Sequence, residues 1–278
     1  MTITLGFSPC PNDTFIFDAL VNKKIDTEGL DFSVKLEDVQ TLNDWAINGK
    51  LDVSKISYGV LPLLLDKYKL LSSGGALGQG VGPLLIALKE PANLQSALPN
   101  MQVAIPGKNT TAHLLFSMAF PQATNKKFLV FNQIEHAVLT GTVDAGVIIH
   151  ENRFTYQDKG LIKLIDLGKY WEEQTNAPIP LGGIVIRKEL DTKLQKQVDL
   201  LIKKSVEYAF ENYPMVTDYV RQHAQEMNEE VMRKHIDLYV NDYSIDLGEN
   251  GKKAIQKLMD VYAQINHLPL IYNQDYLA

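Results

Sequence analysis

His150 is the side chain best placed for chemistry. It follows the apolar run Ala145-Gly146-Val147-Ile148-Ile149, which puts it at the C-terminal end of a buried strand, where α/β proteins present ligand groups. An imidazole takes and returns a proton near neutral pH without a large pKa shift, as a general base must. Glu151 and Arg153 flank it with charges that could orient or tune it. The competing reading, from this local context alone, is a satisfied loop histidine. His150-Glu151-Asn152-Arg153-Phe154 lacks the second histidine of H-E-x-x-H, so no zinc site is expected. His113, His136, His223, His235 and His267 lie in helix patterns or near helix ends, where structural roles dominate.

Thr110 and Thr111 fall where a helix starts after a strand. Their hydroxyls and the unpaired N–H groups of the first turn could hold a carboxylate, or Asn109 or Thr110 could simply cap the helix. Asn12 and Asp13 allow the same two readings, with capping favoured. Lys55, Ile56, Ser57 and Tyr58 finish a strand and so become candidate ligand contacts. Cys10, between two prolines and before a helix start, could have a lowered pKa, but without a partner motif it reads as a structural or site-lining thiol. Trp171 and Tyr156 could stack on an aromatic ligand or pack as core.

Two glycine motifs are set aside. Gly78-x-Gly80-x-Gly82 runs into Pro83 and a strand rather than a helix, so it is a structural loop or hinge and not a dinucleotide fingerprint. Pro106-Gly107-Lys108-Asn109-Thr110 fails as a phosphate loop, because Gln102 stands where the first glycine belongs and Asn109 follows the lysine.

The elements that must position these residues alternate strand and helix. Strands are expected at 3–7, 30–36, 53–58, 83–88, 102–106, 127–131, 145–149, 161–166 and 183–187. Helices are expected at 14–22 (capped by Asn12 or Asp13), from a capping box at 41–44 through 47, and at 60–68, 110–119 and 133–140. Beyond Asp191 the chain turns helical, with Leu194, Val198, Leu201, Ser205 and Ala209 at helical spacing. Further helices are expected at 214–224, 229–240 (capped by Asn228) and 252–266. The pattern is α/β: two lobes with the site in the cleft between them and a C-terminal helical segment. The chain is expected to cross between lobes near 89–101 and 178–184. That gives a first lobe at 1–97, a second at 98–182, and a return to the first at 183–278.

Of 278 residues, 45% are hydrophobic and 22% charged, which suits a folded chain with a real core. The net charge of −6 argues against nucleic acid as partner, while leaving room for a locally positive pocket that takes a small anion. A single cysteine excludes an internal disulfide framework. No apolar run approaches the ~20 residues of a membrane span, and the N-terminus does not read as a secretory leader, so a soluble cytoplasmic protein is expected. The oligomeric state is open, a homodimer included.

Taken together, the motifs are more specific than their parts. Ser8-Pro9-Cys10-Pro11-Asn12-Asp13-Thr14-Phe15-Ile16-Phe17 resembles the opening signature of the 1,4-dihydroxy-6-naphthoate synthase family of menaquinone biosynthesis. So do Lys55-Ile56-Ser57-Tyr58, Gly78-x-Gly80-x-Gly82-Pro83-Leu84, Pro106-Gly107-x-x-Thr110-Thr111-Ala112, Asp144 through Tyr156, and Pro178-Ile179-Pro180-Leu181-Gly182. The resemblance implies a type 2 periplasmic-binding-protein fold used as an enzyme. It implies cleavage of cyclic dehypoxanthinyl futalosine to 1,4-dihydroxy-6-naphthoate, with release of a sugar-derived fragment, dihydroxyacetone. It implies His150 as proton acceptor, and Lys55, Ile56, Ser57, Thr110 and Thr111 as substrate-binding positions. No metal, nucleotide or flavin is implied, and the partner is a small-molecule carboxylate. Cys10, Asn12, Asp13, Tyr58, Glu151, Arg153, Trp171 and Leu181 are carried as candidate cleft-lining residues. Two rivals share the fold: a solute-binding protein that does not convert its ligand, and the chorismate dehydratase of the same pathway. The Ser8–Phe17 and His150–Tyr156 signatures favour the synthase over the dehydratase.

Overall fold

The computed structural model describes residues 1–224, 227–270 and 276–278. In chain order the strands are β1 (Thr2–Phe7), β2 (Asp31–Leu36), β3 (Val53–Ser57), β4 (Tyr68–Leu70), β5 (Ala76–Gly78), β6 (Leu84–Ala87), β7 (Val103–Ile105), β8 (Lys126–Phe128), β9 (Ala145–Ile148), β10 (Ile162–Asp166) and β11 (Ile179–Arg187). The helices are α1 (Pro11–Val21), α2 (Val39–Ile47), α3 (Leu94–Ala97), α4 (Thr111–Ala119), α5 (Ile134–Leu139), α6 (Asn152–Thr155), α7 (Leu167–Thr175), α8 (Thr192–Asn212), α9 (Asp218–His223), α10 (Glu229–Tyr239), α11 (Asp242–Ile245) and α12 (Gly248–Ile265). No helix among the described residues is long and apolar enough to cross a membrane.

Two mixed sheets result. The first has the order β2-β1-β3-β11-β4, with β5 also paired to β11; the second has the order β10-β6-β9-β7-β8. In the first, β1 runs parallel to β2 and β3, and β11 returns antiparallel to β3, β4 and β5. The core of the first lobe is Ile3, Leu5 and Phe7 of β1 against Ile16 and Phe17 of α1, Val198 and Ile202 of α8, and Ile236 of α10. Helices α8 and α10 of the tail thus pack on the first lobe. A second apolar cluster joins the lobes: Tyr58 and Leu61 meet Leu115 and Phe116 of α4, Trp171 of α7, and Leu258 and Met259 of α12.

Several boundaries differ from the sequence expectation. Helix α1 begins at Pro11, with Cys10 as N-cap and no side-chain cap, so neither Asn12 nor Asp13 caps it. Proline suits the first helical position, where φ is preset and no N–H is lost, and the Asp13 carboxylate is left for other partners. Helix α2 begins at Val39 because Asp38, not Thr41, accepts from the N–H groups of Gln40 and Thr41. The expected helix at 60–68 is a 3₁₀ helix, Tyr58–Leu63, with Pro62 inside it, and Tyr68 already belongs to β4.

The lobe crossings also shift. The chain leaves the first sheet after β5 and enters the second at β6, so the first crossing is the glycine-rich segment 79–83, and residues 84–97 lie beyond it. The segment 89–101 is instead a connection between two strands of the second sheet that carries α3. The return passes through α7, between β10 of the second sheet and β11 of the first. The expected breaker cluster at 178–184 is mostly strand, with Pro180 placed where the β11–β5 register shifts.

The two crossings touch where neither has a side chain. A Cβ built on Gly168 would lie 2.6 Å from the Cα of Gly82. Gly168→Ala is therefore expected to force the crossing strands apart, at a cost of about 1–3 kcal/mol, the range for overpacking. A thermal melt showing a midpoint equal to wild type would contradict this.

Candidate active site

A cavity of about 660 Å³, counting its mouth, lies between the lobes, within the size range of small-molecule sites. Its wall is built by Ser8, Asn12 and Asp13 at the start of α1, Lys55, Ile56 and Ser57 of β3, and Thr110, Thr111 and Ala112 at the start of α4. Ile149 and His150 after β9, Leu181 and Gly182 of β11, and Tyr239 of α10 complete it with Val39, Ala76, Val81 and Pro83.

The floor is a buried ion pair. Lys55 Nζ lies 3.0 Å from Asp13 Oδ1, with the two side chains 5% and 3% exposed. Removing two charges from water is costly unless the remaining hydrogen-bonding capacity is used, and here much of it is. Asp13 accepts from Ser8 Oγ (2.7 Å), Ser8 N–H (3.2 Å) and Asn12 Nδ2 (2.9 Å), while Lys55 Nζ donates to the Gly74 carbonyl (3.1 Å).

The start of α4 forms another part of the wall. Both threonine hydroxyls are committed to the protein. Thr110 Oγ1 donates to the Gly107 carbonyl (2.9 Å) and accepts from His113 N–H (3.2 Å), which is the capping reading. Thr111 Oγ1 donates to the Leu181 carbonyl (2.8 Å) and accepts from Gly59 N–H (3.0 Å). Among the described residues nothing accepts from the N–H groups of Thr111 and Ala112, so the helix terminus, rather than the hydroxyls, faces the cavity with spare donors. Ser57 is fixed by Asn43, whose Oδ1 accepts from Ser57 N–H (2.8 Å) and whose Nδ2 donates to Ser57 Oγ (3.1 Å). The same Asn43 amide donates to the Asn109 carbonyl (3.0 Å), and Asn109 N–H donates to Gln40 Oε1 (3.0 Å), so α2 of the first lobe grips the loop before α4.

His150 lies just past β9 with φ +56°, a left-handed conformation that residues other than glycine adopt at a cost. Its carbonyl accepts from Arg153 N–H (3.3 Å), closing the turn into α6. The ring is half-buried, with the edge of Phe131 against it (centroids 4.9 Å, planes at 62°) and the face of His235 opposite (5.9 Å, 6°). Burial pushes its pKa down to about 4; Glu151 and Asp13 act upward, His235 and Lys55 downward. His235, fully buried, is pushed down to about 3, also by burial. Both rings are neutral at neutral pH.

Five candidates do not form the cavity wall. Cys10 is buried behind it, and burial, with Glu151 next, raises its thiol pKa well above the usual value, the opposite of an activated thiolate. Glu151 is buried beside it, near His235 Nδ1 (3.8 Å). Cys10 Sγ, a His150 nitrogen and a Glu151 oxygen lie within 4.8 Å of one another. Tyr58 packs under the hinge strand, where Gly183 leaves room for its ring. Trp171 is core, its indole N–H donating to the Pro178 carbonyl (3.2 Å). Arg153 holds the first crossing: it donates to the carbonyls of Gly82 and Gly80 and pairs with Asp166 (3.1 Å). The sequence reading missed Asn43, Tyr239 and above all His235, which had been assigned a structural role.

Two mixed α/β sheets joined by a double crossing, with a cavity between them, define a two-lobed, periplasmic-binding-protein-like protein. An alkanesulfonate-binding protein from Xanthomonas axonopodis pv. citri, in a structure with bound MOPS, shares this fold with a TM-score of 0.72 at 13% identity, over 100% of this chain and 98% of that one. The chain belongs to the menaquinone biosynthesis family, whose profile matches residues 3–264. A 1,4-dihydroxy-6-naphthoate synthase of Thermus thermophilus is 44% identical over 256 residues, covering 92% of each chain. One of Streptomyces coelicolor is 42% identical over 264 residues, covering 93% of this chain and 92% of that one. A crystal structure of an Archaeoglobus fulgidus protein superposes with a TM-score of 0.89 at 34% identity, over 96% of this chain and 98% of that one.

Two outcomes are expected. Lys55→Met, which strands the Asp13 carboxylate, should cost about 3–5 kcal/mol, and adding Asp13→Asn should restore part of it; additive losses in denaturant unfolding would contradict the pairing. Because the folded pKa values of His150 and His235 are depressed, the unfolded chain takes up protons first as pH falls below about 6.5. Stability is then lost progressively toward the folded values, by on the order of 2 kcal/mol per histidine by about pH 5. Denaturant midpoints that hold constant over this window would contradict it.

Proposed function

We propose that the chain is a 1,4-dihydroxy-6-naphthoate synthase that cleaves cyclic dehypoxanthinyl futalosine to 1,4-dihydroxy-6-naphthoate and a dihydroxyacetone fragment. The family membership supports the pathway. The observation that supports the chemistry is a neutral imidazole and a helix N-terminus lining one cavity between the lobes. In this reading the substrate carboxylate docks on the Thr111 and Ala112 N–H groups, beside the Ser57 hydroxyl. His150 takes a proton from the carbon next to a carbonyl. The electron pair left behind expels the sugar-derived fragment as the ring becomes aromatic, and the imidazolium returns the proton to the departing fragment. An anion next to His150 raises its pKa from the depressed value, toward the range where a base works best. A positioned base contributes roughly 10²–10⁴ in rate, and lobe closure adds orientation and exclusion of water.

The reaction so written uses no metal, nucleotide or flavin. The same reading places it in the cytoplasm, where the substrate is a pathway intermediate rather than an imported solute. Purified protein incubated with the cyclic futalosine derivative is expected to yield naphthoate by mass spectrometry, and a solute-binding protein would yield none. His150→Asn should retain ligand binding but lose turnover by at least about 10²-fold; turnover within a few-fold of wild type would remove His150 from the mechanism.

A further inference from the structure

The His150 ring has an unusual support. A general base commonly gains its tautomer and orientation from a hydrogen bond to its second nitrogen. Among the described residues no hydrogen bond is made by either His150 nitrogen, and the ring contacts are the Phe131 edge and the His235 face. His235 comes from α10, which packs on α1 in the first lobe, whereas His150 follows β9 of the second. The stack therefore spans the cleft and exists only when the lobes are together.

The other end of His235 is also engaged. Its Nε2 lies 2.9 Å from Asn12 Oδ1, and Asn12 Nδ2 donates to Asp13 Oδ1, which pairs with Lys55. Since the Asn12 amide nitrogen is spent on Asp13, its oxygen must accept, and His235 Nε2 must carry the hydrogen. A phenylalanine could supply the flat face but not the N–H, and a glutamine the N–H but not the face. A histidine supplies both.

We propose that His235 is the positioning residue of this site, holding the His150 ring by parallel, offset packing across the cleft while its Nε2–H orients the Asn12–Asp13–Lys55 chain. The inference rests on the proposed role of His150. The titratable and charged groups facing His150 are Glu151, Cys10, Asp13 and Lys55 in addition to His235 itself. Of these, His235 is the one whose ring stacks on it.

The test uses His235→Gln and His235→Phe in the full chain, with thermal melts to confirm folding. In His235→Gln, kcat should fall at least about 10-fold with KM within about 3-fold, and the acid limb of the pH–rate profile should move upward as water reaches the His150 ring. In His235→Phe, the limb should move upward less than in the glutamine variant, since only the downward influence of His235 is lost and the ring stays covered, while KM rises at least about 10-fold because the Asn12–Asp13–Lys55 chain loosens. The His150 titration, followed by NMR of labelled histidine in the enzyme without substrate, should move upward further in the glutamine variant than in the phenylalanine variant. That readout needs no turnover, so absence of naphthoate from the wild type would sink the proposed reaction while leaving the positioning role still tested. A glutamine variant with unchanged kcat and an unchanged His150 titration would overturn the proposal. If that variant does not fold, an unchanged KM in the phenylalanine variant would overturn it instead.

Discussion

The ion pair between Asp13 and Lys55 organises the first lobe's half of the site. Two buried charges are tolerated only where geometry and additional hydrogen bonds offset their desolvation. That demand draws separate pieces of chain to one point: the Ser8 turn, the first turn of α1, the end of β3 and the Gly74 carbonyl. Through Asn12 it reaches α10 as well. None of these elements can slide without exposing or stranding a charge, so the wall they form is stiff.

The second lobe contributes groups of another kind. Its helix α4 begins at the cavity wall with Thr111 and Ala112 N–H groups from which nothing accepts among the described residues, and just past β9 the left-handed His150 brings an imidazole to the same wall. A strand continuing past Ile148 would carry the side chain along the sheet. The turn at His150 redirects it, and the backbone cost is borne by a bond from Arg153 N–H and by ring packing. One lobe thus supplies charge and bracing, the other the groups suited to react, and neither forms a site alone.

Much of this was legible in the sequence. A titratable residue directly after five apolar residues places His150 at a strand end, and hydroxyl residues after a short strand mark the start of α4. The two-lobed architecture followed from alternating strands and helices with a helical tail. The errors have local causes. Asn12 and Asp13 resemble helix caps, but Pro11 starts the helix earlier and leaves Asp13 for Lys55. The threonine hydroxyls resemble ligand groups, but Gly59 and Leu181 already occupy Thr111. The lobe crossing was sought in a long polar connection, whereas short glycine-rich chain suffices. His235 was beyond reach because its partner Asn12 lies 223 residues away and nothing on α10 foretells which wall it will meet.

The grip of α2 on the loop before α4 has a kinetic meaning. Gln40 and Asn43 bind Asn109 from across the cleft, and Gly59 binds Thr111, so the lobes cannot part along this side unless these bonds are released. Their rupture is a unimolecular event that no surplus of reactant can hasten. Exchange between the joined and parted arrangements is therefore set by how often this clasp lets go, in the microsecond-to-millisecond regime typical of such motions.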